Sequence, residues 1–249
     1  MAWVLDLDGV VWLAADPIPG AAEAVSRLRR AGERVVFVTN NSSQRVADQE
    51  AKLGRMGIEA EGDLVTSAMA AARLVEPGER ALVCGGAGVR EALMVRGAVP
   101  VDDGDAEVVV VGLHTDFTYE RMRAASTAVR RGARLIATND DATYPTPTGL
   151  IPGNGAILAS IVVASGAQPE IAGKPHLPMA ELIREQAGDD GIVVGDRPDT
   201  DGLFAHRMGF RFGLVLTGVT SEADLPVEPA PDAVAPDLLT LVERLLSQR

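Results

Sequence analysis

Ala2-Trp3-Val4-Leu5-Asp6-Leu7-Asp8-Gly9-Val10 opens the chain with an apolar run that ends in two carboxylates and a glycine. A short apolar run of this kind predicts a strand buried on both faces, Ala2–Leu5, as parallel sheets require. Asp6 and Asp8 then fall at its carboxyl end. Being two apart in an extended chain, their side chains leave on the same face. Carboxylates so placed repel each other, and a divalent cation compensates well. Mg²⁺ takes about six oxygen ligands and keeps several waters.

Further along, the same grammar repeats. Val35–Val38 predicts a second buried strand, with helices over Ala21–Ala31 before it and Ser43–Met56 after it. Leu64–Thr66, Ala81–Cys84, Val108–Val111, Arg134–Thr138, Ile192–Val194 and Phe212–Leu216 read as further strands. Helical periodicity separates them at Ser67–Val75, Val89–Arg96, Tyr119–Arg131, Ala156–Ala164, Pro178–Gln186, Thr200–Met208 and Leu238–Leu246. Asn139–Pro152, rich in Pro, Thr and Asp, predicts a loop, and the proline-bearing Leu225–Asp237 a surface connection. Repeated βα alternation argues for an α/β fold with a doubly wound, Rossmann-like parallel sheet.

Open α/β sheets bind ligands beyond the carboxyl ends of their strands. Three ends carry polar residues here: Asp6 and Asp8 after the first strand, Thr39, Asn40 and Asn41 after the second, and Asp196 after Ile192–Val194, with Asp201 close behind. Thr39 and the amides that follow it suit phosphoryl oxygens. Such a group also calls for a fixed cation, because its transition state spreads negative charge. Lys174, in Ala172-Gly173-Lys174-Pro175, is the candidate. A carboxylate beside a metal-bound nucleophile can serve as proton donor and acceptor. Read singly, each of these residues has a plain alternative: a strand-end turn for Asp6 and Asp8, a helix cap for Thr39–Ser43, a surface site for Lys174.

Asp6-Leu7-Asp8-Gly9-Val10, Val38-Thr39-Asn40-Asn41-Ser42-Ser43, Gly173-Lys174-Pro175 and Gly195-Asp196-Arg197-Pro198-Asp199-Thr200-Asp201 together resemble, in order, the four motifs of the haloacid dehalogenase-like hydrolases. The resemblance is closest to the NagD-like, p-nitrophenylphosphatase branch, with an α/β cap of the C2 type inserted in the core. It implies a Mg²⁺-dependent phosphatase acting on small phosphate monoesters, such as glycerol phosphate or phosphoglycolate, through an aspartyl-phosphate intermediate on Asp6. Aryl phosphates would be artificial substrates. Asp8 would be the proton donor and, through its main-chain carbonyl, a metal ligand. Thr39, with amides near Asn40 and Asn41, would bind phosphoryl oxygens. Lys174 would neutralise them, Asp196 would hold the metal with Asp6, and Asp201 would orient Lys174 or a metal-bound water. Asn139, Asp140 and Tyr144 fall where similar proteins contact the leaving group. Pro198 and Gly202 depart from the family pattern, which has bulkier aliphatic residues there. A nucleotide or sugar phosphatase and a non-catalytic phosphate sensor are the competing readings; intact Asp6 and Asp8 weigh against the sensor.

The chain between Thr39 and Lys174 is far longer than the roughly 30 residues of a βαβ unit. This places a discontinuous core at 1–78 and 172–249 and a cap at 79–171. In that cap Gly85-Gly86-Ala87-Gly88 reads as a tight turn and Gly153-Asn154-Gly155 as a helix start. A net charge of −12 repels nucleic acid and anionic membranes. The resemblance implies a small phosphorylated metabolite as partner, and also a homodimer paired through the caps. Cys84 is the one cysteine, no apolar run reaches the roughly 20 residues of a membrane helix, and no basic leader precedes Ala2–Leu5. The expected location is the cytoplasm.

Overall fold

The computed structural model describes residues 1–146 and 149–248; the loop expected at Pro147 and Thr148 lies outside them. Among the described residues six parallel strands form one sheet, in the order Ala233–Ala235, Arg211–Val215, Gly191–Gly195, Ala2–Asp6, Arg34–Thr39, Leu64–Thr66. The chain winds outward from Ala2–Asp6 in one direction, then returns to start again at Gly191–Gly195 beside it. The crevice for a ligand lies where the winding reverses. Asp6 and Asp196 flank that point.

Alternation along the strands sorts the core into two faces. Trp3 and Leu5 pack with Phe37, Ile192 and Val194 under helices Ala21–Arg30 and Leu238–Ser247. Val4 turns the other way, with Val36, Val38, Val193 and Phe212, toward helices Ser67–Arg73, Leu177–Ala187 and Leu203–Met208. Full burial of one such side chain is worth roughly 1.5–3 kcal/mol.

A second parallel sheet runs Glu170–Ile171, Arg134–Ala137, Val108–Val111, Arg80–Cys84, Val99–Val101. Its Val83, Val108 and Val110 belong to the same apolar cluster as Val4 and Val36, while Val109 and Val111 face helices Tyr119–Arg130 and Asn154–Ser165. The two sheets thus share a buried layer between them. Gly85-Gly86-Ala87-Gly88 departs from the tight-turn reading: Ala87 and Gly88 already open the helix Ala87–Arg96, and this helix start seats the second layer on the first. A Cβ at Gly86 would strike the Ser43 carbonyl and one at Gly88 the Gln44 carbonyl, so main chain meets main chain there.

Asn139–Pro152 departs from the loop reading. Thr143–Thr146 pairs antiparallel with Gly149–Pro152. Leu225–Asp237 likewise yields to an edge strand, Ala233–Ala235, beside Arg211–Val215. Val99–Val101 and Glu170–Ile171, unforeseen, are also edges. Proline signals breaks in sequence, yet an edge strand tolerates a missing N–H because one side pairs with nothing. A small ribbon, Trp12–Leu13 with Asp16–Pro17, completes the described strands.

Candidate active site

Asp6 ends the central strand and Lys174 follows the last strand of the second sheet. The ammonium of Lys174 donates to Asp6 Oδ1 and to Asp201 Oδ1, each at 2.7 Å. It is 2% exposed, and Asp201 is fully buried. Burial alone would lower this lysine's affinity for the proton; the Asp201 and Asp6 carboxylates overcome that and hold it above the ordinary value.

Lys174 is delivered by a staple that the sequence did not reveal. The Asn40 side-chain oxygen accepts from the Lys174 backbone N–H at 2.8 Å, and its nitrogen donates to the Lys174 carbonyl at 3.0 Å and to Asp141 Oδ2 at 2.9 Å. Gly173 must be glycine here, because a Cβ would meet the Thr138 carbonyl and the Asn40 amide. The Asn40 side chain is thereby spent on structure. The Asn41 backbone N–H, expected to face phosphate, donates instead to Thr39 Oγ1 at 3.0 Å. That bond leaves the Thr39 hydroxyl proton for the cavity.

Asp201 lies in a widened helical turn, Pro198–Gly202, and its backbone N–H donates to the Arg197 carbonyl at 2.7 Å. Pro198 suits the first position of such a turn, where no N–H partner is needed. Gly202 is packed against Pro229 and the Phe212 ring, leaving no room for a Cβ. Pro198 thus suits the backbone of the turn and Gly202 a tight contact.

Asp196 is 1% exposed. Its Oδ2 accepts from the Val219 N–H at 2.6 Å, while its Oδ1 is buried with no hydrogen-bond partner. Gly9, at φ +85°, and Gly218 pack directly on this carboxylate. Burial, with Asp201 nearby, pushes the Asp196 carboxyl up to about 7, against the pull of the Val219 N–H and Lys174. Burial likewise lifts Asp6 well above the carboxylate range; Lys174 opposes this, and Asp201, Asp196 and Asp8 reinforce it. Asp8 is raised for the same first reason, less the pull of hydrogen bonds from Tyr144 and Trp12.

Oxygens of Asp6, Asp196 and Asp201 lie within 4.8 Å of one another. An unpartnered buried carboxylate oxygen at this point, amid hard oxygen donors, fits Mg²⁺. Both Asp201 oxygens are taken, Oδ1 by Lys174 and Oδ2 by the Arg197 N–H at 3.2 Å, whereas Lys174 holds only Oδ1 of Asp6; Asp6 and Asp196 are therefore the side chains left to hold the ion.

The cavity over these groups has about 60 Å³ of free volume, several times the roughly 10–15 Å³ that one water needs. Asp6, Asp8, Thr39, Asn40, Asn41, Lys174, Asp196 and Asp201 line its floor. From above come Asn139 and Tyr144, as expected, but Asp140 does not line it. Its carboxylate turns to His176 at 3.4 Å, and the adjacent Asp141 faces inward instead. In an irregular segment no period tells which of two consecutive residues points in. Gly153 and Asn154, read as a plain helix start, also line the cavity, as does Arg197. Trp12 was missed as well, though its indole N–H donates to Asp8 Oδ1 at 3.0 Å.

Residues 3–98 match the haloacid dehalogenase-like hydrolase family, and residues 171–241 the HAD-hydrolase-like family. An acid sugar phosphatase of Staphylococcus saprophyticus is 37% identical over 237 residues, which cover 92% of each chain. Among solved structures, a p-nitrophenyl phosphatase from Archaeoglobus fulgidus superposes with a TM-score of 0.91 at 32% identity, over 98% of each chain. A glycerol phosphate phosphatase from Mycobacterium tuberculosis, solved in complex with magnesium, gives a TM-score of 0.88 at 36% identity, over 96% of this chain and 75% of that one.

Proposed function

The chain belongs to the haloacid dehalogenase-like hydrolases, and on that footing we propose that it is a Mg²⁺-dependent phosphoric monoester hydrolase working through an aspartyl phosphate on Asp6. The observation that carries this reading is the convergence of Lys174 on Asp6 and Asp201, with Asp196 Oδ1 left open beside them. Asp6 attacks phosphorus as the bond to the leaving oxygen breaks, and Asp8 supplies the proton that oxygen takes. Water then attacks the aspartyl phosphate and gives its proton to Asp8; inorganic phosphate leaves and Asp6 is restored. The Thr39 hydroxyl donates to a phosphoryl oxygen, and Lys174 fixes Asp6 while neutralising the group in flight. Asp6, Asp196 and the Asp8 carbonyl would hold Mg²⁺, which when bound supplies charge neutralisation of the phosphoryl oxygens.

The small cavity and its hydrogen-bonding roof favour compact esters with a hydroxylated leaving group, in the range of glycerol phosphate and sugar phosphates. That matches the activities for which the relatives are named. Among the described residues no helix is long and apolar enough to cross a membrane. Cys84, buried and unpaired, accords with a reducing cytoplasm. Phosphate release from a metabolite panel with Mg²⁺ tests the proposal. Asp6→Asn should cut release by about 10³-fold or more while the protein stays folded. Release at wild-type rate in that variant, or a phosphodiester as best substrate, would sink it.

A further inference from the structure

Asp8 is gripped from two sides at one oxygen. Tyr144, on the hairpin strand Thr143–Thr146, donates its hydroxyl proton to Asp8 Oδ1 at 2.8 Å, and the Trp12 indole donates to the same atom at 3.0 Å. Each donor is itself secured. The Tyr144 oxygen faces the Asn41 amide nitrogen at 3.5 Å, so its proton is free to point at Asp8. The amide's orientation is set in turn, because Asn41 Oδ1 accepts from the Ser43 N–H at 3.0 Å and from the Ser43 hydroxyl at 2.6 Å. On the other side Lys52 lies over the Trp12 ring, its Nζ 3.6 Å from the ring centre, and is pinned by the Ala14 carbonyl at 2.6 Å. A cation over an indole face is worth about 0.5–2 kcal/mol.

We propose that Trp12 and Tyr144 are positioning residues that lock the Asp8 carboxyl so that only Oδ2 can carry the transferable proton. With both hydrogen bonds directed at Oδ1, a proton there would lose them, so the acid is presented through Oδ2. One donor comes from the core ribbon and the other from the cap hairpin. General-acid geometry therefore depends on the cap hairpin being in place, which makes Tyr144 more than a contact for the leaving group. This rests on the phosphatase reading above and deepens it.

Leaving-group chemistry tests the lock. An alkyl phosphate needs its leaving oxygen protonated, whereas p-nitrophenolate departs without help, so in kcat/KM, which reports the steps up to phosphorylation of Asp6, loss of the general acid falls mainly on the first; the later water attack is common to both. In Tyr144→Phe, kcat/KM for glycerol phosphate should drop at least about tenfold further than kcat/KM for p-nitrophenyl phosphate, with the loss in kcat and not in KM. Trp12→Phe should show the same split, and a thermal melt identifies any variant that fails to fold. An equal loss on both substrates, a change confined to KM, or no change with glycerol phosphate would each overturn the lock. Absence of activity in the unmutated enzyme on both esters would instead defeat the phosphatase reading itself.

Discussion

At the scale of single residues, the site is an excess of buried negative charge held by one ammonium. Lys174 bonds to Asp6 and Asp201, and Asp8 and Asp196 line the same cavity. Replacing Lys174 with Met leaves Asp6 and Asp201 facing each other uncompensated, a change that costs about 3–5 kcal/mol when one partner of a buried ion pair is removed. Urea unfolding of Lys174→Met in chelator should show that loss. The metal-free protein should also dislike alkali. The folded Asp196 carboxyl titrates at about 7, above the value for an unfolded aspartate. Its contribution to stability is therefore complete below about pH 4 and is lost as the pH rises through about 7, by on the order of a few kcal/mol. In chelator, Tm should fall between about pH 5 and pH 8. Saturating Mg²⁺ should raise Tm more at the alkaline end, since it binds the ionised carboxylates and not their protonated forms. A Mg²⁺ increment that shrinks with rising pH would contradict this. Asp6, Asp8, Thr39, Lys174, Asp196 and Asp201 were all legible in the sequence because strand ends and motif order place them. Trp12 and Asp141 were not, because each acts through a contact that only the folded ribbon or an aperiodic segment creates.

At the scale of elements, buried strands were readable and edges were not. Val35–Val38 and Val108–Val111 announce themselves as unbroken apolar runs. Val99–Val101 and Ala233–Ala235 are three residues each. The first carries Pro100 and the second follows Pro229 and Pro231, so their breaker residues outweigh any strand signal. The hairpin that delivers Tyr144 is held by its own backbone pairs and shows little alternation. The seat formed by Gly86 and Gly88 is testable at this level. In Gly88→Ala, the new methyl meets the Gln44 carbonyl and must separate helix Ala87–Arg96 from the loop after Thr39. Overpacking of this kind costs about 1–3 kcal/mol. The expected result in urea is a lower midpoint; an unchanged midpoint would mean that the two segments separate freely.

At the scale of the whole molecule, one apolar cluster runs from Val4 and Val36 in the first sheet to Val83, Val108 and Val110 in the second. Cap and core therefore share buried surface and should unfold together. Far-ultraviolet and near-ultraviolet circular dichroism should trace coincident denaturant transitions; two separated transitions would show the layers to be independent. The doubly wound sheet and the inserted second sheet followed from the alternation and the long interval before Lys174. The shared layer did not, because nothing in a single apolar helix says which of two sheets it will cover. The Asn40 side chain ties two distant parts of the chain, the backbone at Lys174 and the carboxylate of Asp141, to its own loop. Deamidation there would exchange two N–H donors for a second acid aimed at Asp141. Asn40→Asp should therefore loosen the lysine and slow turnover, a loss that phosphate release beside a thermal melt would read in a chain that is still folded.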